Sequence, residues 1–214
     1  MYIPKYYEVT DLAEIESFVR NHPFGTIISN DNGRPLATHV PMEMSRDGDG
    51  HVITGHLAKG NPQWKTIDDN ADILLIFQGP HAYVSASWYE NEEVSTWNYQ
   101  SVHIYGSGTL LSEDELENDL IHLLDRYEGH RDRGRTWDNL SDKNKAQMKG
   151  IVGFRIEVDA VQAAYKMNQN KSEKDYDSVM AHLAEEKDQN AHRISEEMKR
   201  HKKWYFYPFL FDQN

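Results

Sequence analysis

The 214-residue chain predicts a mainly β fold of the α+β class, an antiparallel barrel or sandwich with helices on its outside. Three observations lead there. Strand-like runs follow one another through connections too short for parallel crossovers, which need a dozen or more residues. Strong turn signals, Asp31-Asn32-Gly33 and Asp47-Gly48-Asp49-Gly50, lie between such runs. No GxGxxG follows a strand and no GxxxxGK[ST] occurs, so the fingerprints of nucleotide-binding α/β sheets are missing.

The elements follow in order. Leu12, Ile15, Phe18 and Val19 recur at helical spacing behind a cap at Thr10 or Asp11, and Pro23 ends the pattern. FGTIIS is a first strand. LATHVPMEM is a second, with Pro41 suggesting an edge or bulge. HVITGHL is a third. ADILLIFQG is a continuous apolar run of central-strand character, punctuated by Gly79-Pro80 before HAYVSASWY alternates again. VSTWNYQSVHIYGSGTLL is long enough for a bent strand or two strands, with Gly106 and Gly108 marking a bulge or bend.

Ser112 and Glu115 form a capping box, and Leu116, Leu120, Leu123, Leu124 and Tyr127 make the apolar stripe of a helix that Gly129 ends. A polar loop leads to IVGFRIEVDAVQAAY, one strand or two. Ser172 opens a charged helical region, and the chain ends in an aromatic tail, WYFYPFLFDQN. The organisation expected is a barrel domain over 1–168 and a helical extension over 169–214, its tail packed on the barrel or on a second subunit.

Composition removes several function classes. With no cysteine there is neither a disulfide, nor a thiolate metal site, nor a thiol nucleophile. The N-terminal MYIPKYYEVTD lacks a signal-type apolar stretch, and no run approaches the roughly 18 apolar residues of a membrane helix. The expectation is a cytoplasmic protein with no membrane partner. A net charge of −12 opposes nonspecific binding to nucleic acid. The one basic cluster, Lys199 to Lys203, falls near a helix end, where cations are favourable for a simpler reason.

The chemistry-bearing residues are few. His39, His56, His81 and His103 fall in or beside strands, but no HxH or HxxxH pair occurs, so no metal site is expected. Ser85 and Ser87 sit in an alternating strand without a GxSxG elbow. The stretch TGHLAKGNPQW, Thr54 to Trp64, is more suggestive. It is either an ordinary loop with a solvated lysine or an anion cradle in which Lys59 supplies the cation and Thr54, His56 and Asn61 supply donors. The aromatic residues after it, among them Phe77, Tyr83, Trp88 and Trp97, suit either a planar ligand or a core with a dimer interface.

Taken together, MYIPKYYEVTD, ATHVPM, ITGHLAKGNPQW, FQGPHAYVSASWY, VSTWNYQSVHIYG, KGIVGFRIEV and KMNQNKSEKD resemble the PaiB family, over roughly residues 1 to 183. The resemblance implies an antiparallel six-stranded split β-barrel of the FMN-binding type, related to the pyridoxamine-phosphate oxidases and flavin reductases. It implies a homodimer with FMN at the subunit interface, and negative transcriptional regulation, with DNA as a partner by that resemblance alone. Residue by residue, it places Lys59 and Asn61 at the flavin phosphate and Thr54, Gly55 and His56 at the strand end touching phosphate or ring. Thr38 and His39 fall on the strand lying against the isoalloxazine, and Gln78 and Trp97 where flavin is approached across the dimer. The arginine-rich pattern of the oxidases is missing from both places, so enzymatic activity is left open. Two alternatives remain: an FMN-dependent oxidoreductase, and a flavin-free or haem-binding interaction module with His39, His56 or His81 as axial ligands.

Overall fold

The Asp11 carboxylate accepts the backbone N–H of Ala13 at 2.8 Å and of Glu14 at 3.4 Å, and helix α1 (Leu12–Asn21) starts there. The structure, a computed structural model, describes residues 1–68 and 70–206. The described residues form seven strands: β1 (Glu8–Val9), β2 (Phe24–Asp31), β3 (Arg34–Asp47), β4 (Gly50–Ala58), β5 (Asn70–Val84), β6 (Thr96–Leu110) and β7 (Ile151–Lys166). They order as β1-β7-β4-β3-β2-β5-β6, and β6 pairs again with β7. Strands β2 to β7 therefore close into the expected six-membered antiparallel ring. The two-residue β1, too short to show a period, adds a seventh strand by pairing Glu8 with Ala164.

Local chemistry explains the tight connections. Asn32 and Gly33 both take positive φ, 51° and 89°, the combination a two-residue hairpin needs, and Asp31 pairs with Arg34 across it. Helix α2 (Glu113–Glu128) carries the full capping box, Ser112 accepting from the Glu115 N–H while the Glu115 carboxylate accepts from the Ser112 N–H at 2.8 Å. Helix α3 (Asp142–Lys145) is a single turn. Ser172 caps α4 (Glu173–Glu185), and α5 (Gln189–Phe206) follows after three residues.

One expectation is corrected and another is narrowed. Gly79-Pro80 does not divide β5, which runs on to Val84. Proline's fixed φ suits extended backbone, and its missing N–H matters only where a ladder bond is required. Of the two readings left open for β6, one bent strand or two strands, the two-strand reading fails, because Thr96–Leu110 is one strand. A Cβ at Gly106 would stand 2.0 Å from the Glu157 carbonyl oxygen, and one at Gly108 2.4 Å from that of Ile67. These glycines admit neighbouring backbone at close range.

The chain forms two compact units. One comprises Glu16–Phe77 and His103–Val161. Its core is built by alternation along β2 to β5 and β7, with Ile27, Val40, Met42, Ile53, Leu57, Leu75, Phe77, Phe154 and Ile156 buried. The other comprises Met1–Ile15, Gln78–Val102 and Gln162–Asn214. Its core joins Ile15, Val84, Val102 and Tyr165 to the apolar faces of α4 and α5, through Tyr176, Val179, Leu183, Ile194 and Met198. The end of the aromatic tail, residues 207–214, and the side chains of Trp204 and Phe206 lie outside the described residues.

Candidate functional site

The loop after β4 is organised by a residue that periodicity does not mark. Asn61 caps the short 3-10 turn Pro62–Thr66, its side-chain oxygen accepting the Gln63 N–H at 3.0 Å. Proline at the first position of that turn needs no donor. Gln63 is 2% exposed, and its amide nitrogen donates to the Ile27 carbonyl (3.1 Å), the Ser29 hydroxyl (3.1 Å) and the Leu36 carbonyl (3.2 Å). Its amide oxygen accepts from Thr38, whose hydroxyl oxygen in turn accepts from Asn61 Nδ2 at 2.9 Å. Thr38 and Asn61 thus meet directly, and their polar groups are engaged in holding the loop on β2 and β3.

Lys59 stands differently. Its backbone N–H donates to the Gly150 carbonyl at 2.8 Å, one step beyond the last β4–β7 pair, Ala58 with Ile151. This step sets Lys59 and Lys149 on one cavity of about 400 Å³, a size that suits a small molecule. Leu111, Leu116, Met148 and Ile151 give it apolar walls, and Ser112 and Glu113 bring the start of α2 to it. The first turn of α2 is acidic, with Glu113, Asp114 and Glu115, so charge at the cavity is mixed. Lys59 makes no side-chain hydrogen bond or ion pair among the described residues.

Thr54, Gly55 and His56 separate by the alternation of β4. Gly55 points inward, where a Cβ would meet the Phe154 ring at 2.7 Å, so its lack of a side chain serves packing. Thr54 and His56 point the other way, towards α2, and Thr54 donates to Asp119 Oδ1 at 2.5 Å. Burial lowers the pKa of His56, which the Asp119 carboxylate partly opposes, so neutral imidazole dominates at neutral pH.

His39 is exposed on β3. Its Nδ1 meets the Thr26 hydroxyl at 2.8 Å, and its ring stacks over Phe24 with centroids 6.3 Å apart. Gln78 and Trp97 come together through His81. The Gln78 amide lies 3.3 Å from His81 Nδ1, and the His81 ring is 6.2 Å from that of Trp97, which Tyr83 meets edge-on at 6.0 Å. Trp97 is 54% exposed and Tyr83 50%, so this aromatic surface is accessible.

The predicted residues therefore fall into five local groups: Thr38 with Asn61, His39 beside Phe24, Lys59 on its cavity, Thr54 with His56, and Gln78 with Trp97, while Gly55 faces the core. Sequence reading missed Gln63, Asp119 and Lys149. The Asn-Pro cap that places Gln63 was legible, whereas its contacts to residues 27, 29 and 36 were not. Among the described residues no group of three or more His, Asp and Glu side chains is placed to hold a metal. No helix among them is long and apolar enough to cross a membrane. In the basic cluster, Lys202 pairs with Glu173 (3.0 Å) and Asp177 (2.7 Å), Arg200 pairs with Glu14 and Glu197, and His201 is buried. Lys199 and Lys203 remain exposed.

Comparison with known proteins bears on this geometry. The family model described as "Putative FMN-binding domain" matches residues 1–160. "Protease synthase and sporulation protein PAI 2" of Bacillus subtilis (strain 168) is 49% identical over 200 residues, covering 93% of this chain and 97% of its own. The uncharacterized protein YKL070W of Saccharomyces cerevisiae is 27% identical over 160 residues, 63% of this chain and 94% of its own. Among solved structures, the flavocytochrome Anf3 from Azotobacter vinelandii superposes with TM-score 0.60 at 16% identity, covering 82% of this chain and 78% of that one. The FAD and heme binding protein from Mycobacterium smegmatis gives TM-score 0.56 at 17% identity, covering 75% and 73%. At such identities the two structures share the fold. The family match and the 49% identical relative, each running through most of the chain, show that it belongs to the PaiB family of FMN-binding-domain proteins.

Proposed function

We propose that this protein binds FMN, with the flavin phosphate at Lys59, and serves as a negative transcriptional regulator in which the flavin reports redox or metabolic state. The observation that carries the flavin reading is the cavity at Lys59: an ammonium without an ion pair among the described residues, a second cation at Lys149, and apolar walls. A phosphate supplies the charge that such lysines lack, and a flavin ring suits apolar and aromatic surface. Membership of an FMN-binding-domain family supports FMN, and the name of the 49% identical relative supports a regulatory role. When bound, flavin supplies one- and two-electron redox chemistry. The chain's own part is to fix the phosphate, present aromatic surface and keep water from the ring.

The regulator works as a homodimer in this reading. Phe24, 68% exposed, and His39 form an outward apolar spot on β2 and β3 that a second copy covers. Regulation does not run chiefly through the C-terminal basic cluster, because Arg200, His201 and Lys202 are engaged within the fold.

Titration of purified protein with FMN and with riboflavin tests the proposal. Lys59→Ala should weaken FMN about tenfold or more, the scale of one lost charge-assisted hydrogen bond, and leave riboflavin nearly unchanged. Equal loss of both ligands takes the phosphate away from Lys59. Failure to bind FMN at micromolar concentration overturns the flavin reading.

A further inference from the structure

The segment KMNQNKS, Lys166 to Ser172, carries part of the family resemblance and takes no part in the groups described above. Its backbone is tightly determined. Asn168, 2% exposed, sits at φ 60°, and its side chain donates to the Tyr89 hydroxyl at 2.7 Å. The Lys171 N–H returns to the Asn168 carbonyl at 3.0 Å, and the Gln169 side chain accepts the Met167 N–H at 2.7 Å. A left-handed asparagine fixed this way turns the chain sharply, so two lysines five positions apart flank one turn.

These lysines differ. Lys171 is neutralised by Glu93 at 2.6 Å and lies 5.6 Å from the centre of the Tyr89 ring. Lys166, half-buried at the end of β7, donates only to the hydroxyl of Thr96 at the start of β6, and makes no ion pair among the described residues. In a chain with 35 acidic and 23 basic side chains, a partly buried ammonium beside a neutral hydroxyl is a notable arrangement. Burying a charge costs free energy unless a counter-charge meets it. Burial and then the like charge of Lys171 both lower the pKa of Lys166, so nothing here compensates its charge.

We propose that Lys166, Thr96 and Lys171 form a binding site for the oxyanion of a small molecule, a carboxylate or a phosphate monoester. Glu93 and the nearby Asp175 answer the charge of Lys171, whereas no carboxylate among the described residues is paired with Lys166. Lys166 keeps two N–H bonds to donate. Thr96 accepts from Lys166 with its oxygen and keeps its own O–H for the anion. The site shares no residue with the cavity at Lys59 and does not rest on flavin binding.

The test uses the full-length protein, with the Lys166 side chain followed by carbon NMR through a pH titration. Inorganic phosphate and acetate are added in separate arms, with chloride holding ionic strength constant. The expected result is a saturable rise in the Lys166 pKa, because a bound anion favours the ammonium. A rise with both anions marks a general oxyanion site, and one with phosphate alone marks a phosphate monoester site. Thr96→Val should weaken the response severalfold, and Lys59→Ala should leave it intact. A Lys166 pKa that neither anion moves, or a response abolished by Lys59→Ala, overturns the proposal. A lysine that merely struts β6 against β7 would be indifferent to both anions. Chemical-shift changes at the Thr96 amide give a second readout in a Lys166→Gln variant, which should lose them.

Discussion

Arg200 and Glu14 meet as a fork, with guanidinium nitrogens 2.8 and 3.2 Å from the two carboxylate oxygens, and so fasten α5 to the first turn of α1. His201, buried beside them, lies 3.4 Å from the same carboxylate. Hydrogen bonding to His201 first, then to Arg200, outweighs desolvation and lowers the Glu14 pKa to about 2. Folded pKa lies below the unfolded value, so this stability is fully present above about pH 4.5 and is lost as pH falls towards 2. Acid unfolding followed by circular dichroism should show a loss in that window that Glu14→Gln reduces. At neutral pH the same variant should cost about 2 kcal/mol, less than the loss of a fully buried pair, because Arg200 is half exposed.

His56 gives a second, milder pH dependence of the same sign. Its folded pKa lies below 6.5, so its contribution is complete above that pH and declines as pH falls through 6.5. NMR titration should find His56 protonating below the ordinary histidine range.

Gln63→Ala should destabilise the protein by about 2–3 kcal/mol in urea unfolding, since it leaves Thr38 and the Ile27 and Leu36 carbonyls without a partner that it now supplies. FMN affinity should fall with it, as the loop bearing Lys59 loosens. Lys149→Ala, which keeps that network, should weaken FMN with no comparable loss of stability.

If a second copy covers Phe24 as proposed, Phe24→Glu should shift the protein towards monomer in sedimentation, with FMN affinity falling in step. Unchanged mass and affinity would remove β2 and β3 from the dimer interface.

Direct contact with DNA has its own signature. If α5 meets phosphates, its exposed cations include Arg193, Lys199 and Lys203, and replacing the two lysines with alanine should reduce the salt slope of binding by about two. An unchanged slope places any DNA contact elsewhere.

What the sequence disclosed was chemistry confined to a few neighbouring residues. The Asn32-Gly33 turn and the Ser112–Glu115 box are each complete within four residues and stand as read, and of the two candidate caps Thr10 and Asp11 the structure uses Asp11. The close approach at Gly106 was not legible because a glycine's sequence neighbours do not reveal whether another backbone passes beside it. Glu157, which presses against it, lies fifty-one positions away. Gln63 and Asp119 escaped for a related reason. A buried amide and a carboxylate over a strand acquire meaning only when distant segments converge.

The unit that includes Lys166 draws on the first fifteen residues, a middle stretch and the last fifty-three. During synthesis its earliest segment must therefore wait for α5, which supplies Arg200 to Glu14, before its contacts can form. Residues 16 to 77 instead find most of their strand partners within the same stretch, through β2, β3, β4 and the first part of β5. A nascent chain thus leaves Glu14 without its Arg200 partner until α5 has been made. Removing the last helix should accordingly yield a chain that collects on chaperones rather than a smaller stable barrel.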